Sequence, residues 1–394
     1  MKDIRDSVHG YISITPKEVA VLDTPQVQRL RRVSQLGLSS LIYPGATHTR
    51  FEHSLGVLSV AGRIGEAVGL SDQEVRNLRL AGLLHDAGHG PFSHASERVA
   101  ERSGLSHEEL SCNRVEEVAN QVSFDTDSVK KYIRGEEETR ILNGAIDADK
   151  IDYLARDAYE TGIEHGQNDS ESVIMHATLD SEGKLAFKNV ALTAMESILA
   201  ARFSMHHSVY QHHTCLIAET MLERALIEYL ENSSDTVQQM MKYDDMQMDA
   251  RLRNADGRAN DLYTRILNRD LFKGCFTDMS FVSSERQHLL ENILAEAPDD
   301  EQTIERHIVD NTGVDTDNVI VSMPDEPSLM TFEMKVKTAA GMKDFEEVSP
   351  MAESLKQRAW RNVSLGVYTP AEHRDEVRAS AVEYFESLTG RDFV

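Results

Sequence analysis

The chain has 394 residues and a formal net charge of −25. It is long enough to bury a large core, and its acidic balance argues against nucleic acid as the principal ligand, because sequence-independent binding needs basic surface. No apolar run approaches the roughly 20 residues that span a bilayer, and no apolar segment follows Met1–Asp6, so the sequence reads as that of a cytoplasmic protein without membrane contact. Residues 2–20 look extended and turn-rich. Thr24-Pro25 opens a helix expected to reach about Leu36, Pro suiting the first helical position. After the Pro44-Gly45 loop, small and apolar residues recur at helical spacing from Ser54 to Val68. Ser71 and Glu74 have the form of a capping box before an apolar-periodic helix through His85, and Gly90-Pro91 stops it.

Further helices are expected at about 107–122, 137–160, 190–232 and 260–295, with the polar, Met- and Asp-rich segment 232–258 as a mobile connection. Beyond about residue 315 the periodicity changes. Val319–Met323 and Leu329–Lys337 alternate like strands around a Pro324-Asp325-Glu326-Pro327 turn, followed by a helix at 350–361, a strand Val363–Tyr368 and a helix at 371–388. The expected fold is mainly α: a helical core over 1–310 with an extended N-terminal segment, and a small α+β lobe over 311–394 packed on it. Cys112, Cys215 and Cys275 are odd in number and far apart, which predicts free thiols rather than a disulfide framework.

The chemistry concentrates in His85-Asp-Ala-Gly-His-Gly-Pro-Phe-Ser-His94, three histidines and an aspartate at the end of an apolar helix. Such groups are seldom buried unless a metal or a partner satisfies them. With His53 upstream and Asp147-Ala-Asp-Lys150 downstream, the order His…His-Asp…Asp suggests a metal-dependent phosphohydrolase. The candidate ligands are His53, His85, Asp86 and Asp149, with Asp152 a rival to Asp149. Two imidazoles and two carboxylates suit Mn, Fe, Zn, Ni or Mg. Gly88 and Gly90 supply the bend that lets adjacent His85 and Asp86 both ligate. An anionic substrate of so acidic a chain needs local cations. Arg50 lies three residues before His53, and Arg202, His206 and Tyr210 recur every four residues on one helical stripe.

Longer motifs carry a resemblance. Asp23-Thr-Pro-Gln-Val-Gln-Arg-Leu-Arg-Arg-Val-Ser-Gln-Leu-Gly37, Tyr43 through Gly56, Ala81 through His94, Asp147 through Asp157 and Arg202 through His212 resemble the HD-domain deoxynucleoside triphosphate triphosphohydrolases. The similarity is strongest to the catalytic core of the SAM-and-HD-domain member and its prokaryotic relatives, and it is clear over about residues 2–230. It implies an HD-domain core and the reaction dNTP plus water to deoxynucleoside plus triphosphate. His94 would be the closest catalytic imidazole, as nucleophile or proton donor, oriented by Glu97 (Asp in the family) and His107, with His89 near the phosphates. Arg50, His94, Lys150 and Arg202 would grip the triphosphate, with His206 near the phosphates. Gln35, Leu36, Tyr153, Asp157, Tyr210 and Gln211 would line the sugar pocket, Tyr210 and Leu36 crowding C2′ and Asp157 with Gln35 holding the 3′-hydroxyl.

The same resemblance implies a GTP or dGTP activator at a subunit interface of a homo-oligomer, a dimer or tetramer, read by Lys2, Asp23, Gln28, Arg31 and Arg361. Leu365 stands where a second basic residue is expected, and Asp169, Val173 and Val190 replace the groups of a second activator pocket. Competing readings are an HD-family phosphohydrolase acting on another nucleotide or phosphomonoester, and a non-catalytic nucleotide sensor.

Overall fold

Helix α3 (Arg50–Val68) and helix α4 (Asp72–Leu84) pack against each other through nearly unbroken apolar faces, and the site is built at their meeting point. The structure is a computed structural model describing residues 2–166, 169–277, 301–323, 332–359 and 365–389. It is mainly helical, with small sheets, as the sequence predicts.

A hairpin of β1 (Lys2–Asp6) and β2 (Gly10–Ile14) opens the chain, with Lys2 opposite Ile14. It is followed by α1 (Pro16–Leu22) and α2 (Pro25–Arg29). The helix expected to reach Leu36 therefore ends early. It tightens into a single 3₁₀ turn at Leu30–Arg32, and Val33 turns extended because Ser34 bridges to Thr49. Ser71 caps α4 through the expected box with Glu74. Then come α5 (His94–Arg102), α6 (His107–Ala119) and α7 (Thr126–Ile133).

The helix expected at 137–160 begins only at Ala148. Asp147 is its N-cap, its carboxylate accepting from Lys150 N at 2.8 Å, so α8 spans Ala148–Thr161. The continuous helix expected over 190–232 is three pieces: α10 (Leu192–Met205), a π-helical turn (His206–Tyr210) and α11 (His213–Asn232). Between α8 and α10 lie α9 (Ser170–Met175) and the strands β3 (Ala177–Leu179) and β4 (Leu185–Lys188).

The segment expected to be a mobile connection is instead structured. It forms α12 (Val237–Met240) and α13 (Asp245–Arg253), whose Met240, Met241, Met248 and Leu252 are fully buried with α5, α11 and α14 (Arg258–Leu267). The helix expected at 260–295 gives way to β5 (Lys273–Thr277), and the rest of that range lies outside the described residues. So do the Pro324–Pro327 turn and the ends of the helix at 350–361 and the strand at 363–368. Of these elements the structure shows helix Pro350–Ala359 and β9 (Gly366–Thr369).

The strand signal at 319–323 is β6 (Ile320–Ser322), and that at 329–337 is β7 (Lys335–Thr338), paired with β8 (Gly341–Asp344). Two sheets use strands from both sides of residue 310: β3-β4-β7-β8, in which β4 and β7 are parallel, and β5-β9-β6. Helices Glu301–Thr312 and Arg374–Thr389 pack on the latter. All three cysteines are buried free thiols. No helix among the described residues is long and apolar enough to cross a membrane.

Candidate active site

The four expected metal ligands converge. His53 comes from the first turns of α3, His85 caps the C-terminus of α4, Asp86 follows it, and Asp149 lies in the first turn of α8. His53 Nε2 is 3.0 Å from Asp149 Oδ1 and 3.6 Å from Asp86 Oδ2. His85 Nε2 is 3.2 Å from Asp86 Oδ1 and 3.7 Å from Asp149 Oδ1. His85 Nε2 is also buried without a hydrogen-bond partner, while its Nδ1 donates to Gly82 O at 2.8 Å. An orphaned imidazole nitrogen beside two carboxylates fits a divalent ion of the HD-domain kind. Burial pushes the Asp86 carboxyl up, but Arg50, His85 and His89 hold it well below the usual range. Burial alone would lower His53, yet its bonds to Asp149 and Asp152 raise it to about 10.

The rival ligand Asp152 sits on the opposite edge of His53. It is fully buried and takes His53 Nδ1 at 2.8 Å, His9 Nε2 at 2.6 Å, and Arg156 Nε and Nη2 at 3.0 and 2.9 Å. It therefore orients the imidazole rather than joining Asp149 on the Nε2 side, the usual way an outer carboxylate fixes a ligand's tautomer. Gly56 makes room for it: a Cβ there would lie 1.7 Å from Asp152 Oδ1. The glycines expected to bend the chain after Asp86 have another use. Neither Gly88 nor Gly90 has a positive φ, and a Cβ on Gly88 would lie 2.3 Å from Ser111 N of α6. Close packing, not backbone freedom, requires glycine there.

His94 is the first residue of α5, and its side chain is half exposed to the cleft. Its Nδ1 bonds Glu97 Oε2 at 3.0 Å, and the other oxygen of Glu97 takes His107 Nδ1 at 2.7 Å. The chain His94–Glu97–His107 is thus direct even with the longer Glu. Burial opposes both charges, but the pairing holds Glu97 well below its usual range and lifts His107 to about 9. His89 stacks on His107, lies 3.3 Å from Asp86, and is pushed down to about 4 by burial and by Arg50, so it is neutral.

His94 is aimed by strain. Phe92 and Ser93 just before it take φ of 57° and 50°, a costly region for residues other than glycine. Phe92 N donates to Asp245 Oδ1 at 2.7 Å, and Asp245 Oδ2 accepts from Ser34 N at 2.9 Å. Ser93 Oγ accepts from Arg50 Nε at 2.7 Å, and Arg50 Nη1 donates to Asp86.

The four candidate ligands, with Arg50, His89, His94, Glu97 and His107, line one cavity of about 390 Å³, an ordinary size for a small-ligand site. Gln35, Leu36, Tyr153, Asp157, His206, Tyr210 and Gln211 line it too, as expected. Asp157 is held by His48 Nε2 at 2.8 Å and by the Tyr210 hydroxyl at 2.7 Å. Gln35 is not bonded to Asp157, and its Oε1 is buried without a partner. Arg50 Nη2 and His206 Nδ1 are likewise orphaned around this cleft. The π-turn breaks the regular four-residue stripe: His206 and Tyr210 face the cleft, whereas Arg202 and Lys150 line an adjoining cavity of about 650 Å³ that shares Asn143 with it. Lys150 Nζ bonds Asp147 at 2.7 Å, and Arg202 Nε has no partner among the described residues.

His48 and Asp245 escaped the sequence reading. His48 is a lone histidine in a loop, and Asp245 lies in the segment read as a mobile connection. The only signal for His48 was its place inside the Tyr43–Gly56 motif.

The expected activator group is partly engaged with itself. Arg31 Nε donates to Gln28 Oε1 at 3.0 Å, Gln28 Nε2 donates to Leu22 O at 2.9 Å, and the Arg31 guanidinium lies over the Phe51 ring at 3.6 Å. Asp23 caps α1, Lys2 begins β1, and Arg361 lies outside the described residues. Leu365 is buried in the C-terminal core. Val173 is buried, Val190 is exposed, and Asp169 caps α9.

The comparisons agree with this architecture. An HD domain matches residues 50–157, and an HD associated region matches residues 169–390. An uncharacterized protein of Methanocaldococcus jannaschii is 33% identical over 389 residues, 97% of this chain and 82% of its own length. Deoxynucleoside triphosphate triphosphohydrolase SAMHD1 of Homo sapiens is 31% identical over 279 residues, 58% of this chain and 44% of the human one. In three dimensions a hypothetical protein from Aquifex aeolicus superposes with a TM-score of 0.76 at 26% identity, over 96% of this chain and 99% of that one. A phosphohydrolase from Bacteroides thetaiotaomicron gives 0.75 at 25% identity, over 94% and 100%. A largely buried His-Asp cluster inside a matched HD domain, followed by the matched associated region, makes this chain a member of the HD-domain phosphohydrolase family.

Proposed function

We propose that the protein is a metal-dependent dNTP triphosphohydrolase, taking dNTP and water to deoxynucleoside and triphosphate. The observation that carries this reading is the set of buried, unpartnered polar atoms around one cleft: Arg50 Nη2, His206 Nδ1 and Gln35 Oε1. Native interiors leave few such atoms, and a ligand with anionic and hydroxyl groups satisfies them.

A bound divalent ion supplies charge neutralisation at the phosphate and a more acidic water. Arg50 adds a fixed guanidinium beside it. His94, gripped at Nδ1 by Glu97, keeps Nε2 for proton transfer to the leaving 5′ oxygen. Asp157, fixed by His48 and Tyr210, accepts from the 3′-hydroxyl, and Tyr210 with Leu36 crowds C2′. Lys150 and Arg202 receive the outer phosphates where the two cavities meet at Asn143. Lys2, Asp23, Gln28, Arg31 and Arg361 bind a guanine nucleotide between copies of the chain.

The test is mass spectrometry of products after incubation with each dNTP and Mn²⁺, with and without GTP. Deoxynucleoside plus triphosphate, lost in His85→Ala/Asp86→Ala, is expected, and GTP is expected to raise turnover and oligomeric mass. Orthophosphate or pyrophosphate as product, or intact dNTPs throughout, refutes the triphosphohydrolase reading. Turnover and mass indifferent to GTP refute the activator alone.

A further inference from the structure

Glu219 has no part in the chemistry above, yet it projects from α11 into the cleft and is only 8% exposed. Among the described residues its carboxylate makes no hydrogen bond. Its nearest cation is Arg98, Nη2 to Oε2 at 3.6 Å, and Arg98 also reaches Glu223 at 3.5 Å. The other oxygen, Oε1, faces the turn at Gly37, where a Cβ would lie 3.5 Å away. Glu219 therefore shares a wall with Gln35, Leu36 and Ser39, all of which line the cleft. Gln35 Oε1 on that wall is a buried acceptor without a donor among the described residues. Burial raises the proton affinity of Glu219, and Arg98 and His94 counter it.

Buried acceptors without donors are costly until something supplies an N–H or O–H. The triphosphate of a nucleotide supplies only acceptors. The 3′-hydroxyl is already matched by Asp157. The remaining donors in such a substrate are the N–H groups of the base. Guanine alone presents N1–H and N2–H₂ side by side, a pair that fits the two oxygens of one carboxylate, while its O6 accepts from a guanidinium. Adenine offers one amino group beside a ring acceptor, and thymine a single N–H between two carbonyls.

We propose that Glu219, with Arg98 beside it, is a specificity-determining residue that reads the base edge and makes dGTP the preferred substrate. This rests on the cleft being a dNTP site. The experiment is kcat/KM for dGTP, dATP, dCTP, dTTP and dITP with wild type and Glu219→Gln.

Wild type is expected to favour dGTP, with dITP, which lacks the 2-amino group, reduced. Glu219→Gln is expected to lower the dGTP value about 10- to 100-fold and to change dTTP by less than about threefold. An equal loss for all four dNTPs marks Glu219 as structural and overturns the proposal. So does a wild type that treats dGTP, dITP and dTTP alike, a comparison that stands even where the variant fails to fold. Failure of wild type to hydrolyse any dNTP instead removes the triphosphohydrolase reading, and this inference with it.

Discussion

Asp152 holds His53 from behind: its Oδ2 lies 2.8 Å from His53 Nδ1, while His53 Nε2 faces Asp149 at 3.0 Å. The imidazole is thus locked into the tautomer that leaves Nε2 free for an ion. Asp152→Asn is expected to weaken divalent-metal affinity about 10- to 100-fold. Because Asp152 also carries Arg156 and His9, the variant should lose stability of about 3–5 kcal/mol, the cost of unpairing a buried charge. Metal titration and a thermal melt measure the two effects. Unchanged metal affinity refutes the orienting role.

Gly56→Ala places a methyl where Asp152 Oδ1 now sits, 1.7 Å from the new Cβ. Overpacking of this kind costs about 1–3 kcal/mol, and here it should also displace Asp152 from His53. The expected result is a lower Tm together with lower metal content after dialysis. A lower Tm with full metal retention separates packing from the His53 contact.

The Glu97–His107 pair sets a pH window. His107 is faced by Glu97, Glu108, Asp86 and the His89 ring, and its folded pKa is raised from 6.5 to about 9. Its contribution to stability is therefore complete below 6.5 and fades as pH rises through about 9. Glu97 is shifted down from 4.5, so its contribution is present above 4.5 and fades in acid. Activity should hold across neutral pH and fall as His107 deprotonates. In His107→Gln the alkaline limb near 9 is expected to disappear from the kcat/KM profile. A limb that stays in place assigns it to another group.

Tyr210 donates to Asp157 at 2.7 Å from the π-turn. Tyr210→Ala should open the space at C2′ and raise the GTP-to-dGTP ratio of kcat/KM. His48→Ala removes the other anchor of Asp157 and is expected to raise KM for dGTP without altering that ratio. Unchanged rejection of GTP by Tyr210→Ala counts against steric selection.

The convergence of His53, His85, Asp86 and Asp149 was legible because these residues sit in long contiguous motifs in the order His…His-Asp…Asp. Helix continuity was not legible. Arg202, His206 and Tyr210 keep helical spacing through the polar stretch His206–Thr214, and that spacing hid the π-turn that brings Tyr210 to Asp157. The early start expected for α8 ignored Asp147, whose capping carboxylate marks the helix beginning. Asp244 and Asp245 lie in the segment read as a mobile connection. Asp245 is held by the backbone N–H groups of Ser34 and Phe92, contributed from more than 150 positions away, which no local pattern records.

His9 reaches Asp152 across 143 positions of sequence. During synthesis the opening hairpin leaves the ribosome long before α8 exists, so nothing can hold His53 in place until the chain has grown past Asp152. A contact of that separation carries a large loop-closure cost and forms late. Newly made protein should therefore acquire its ion after the helical core has assembled, and a nascent chain stalled before Asp152 should have no tight metal site to fill.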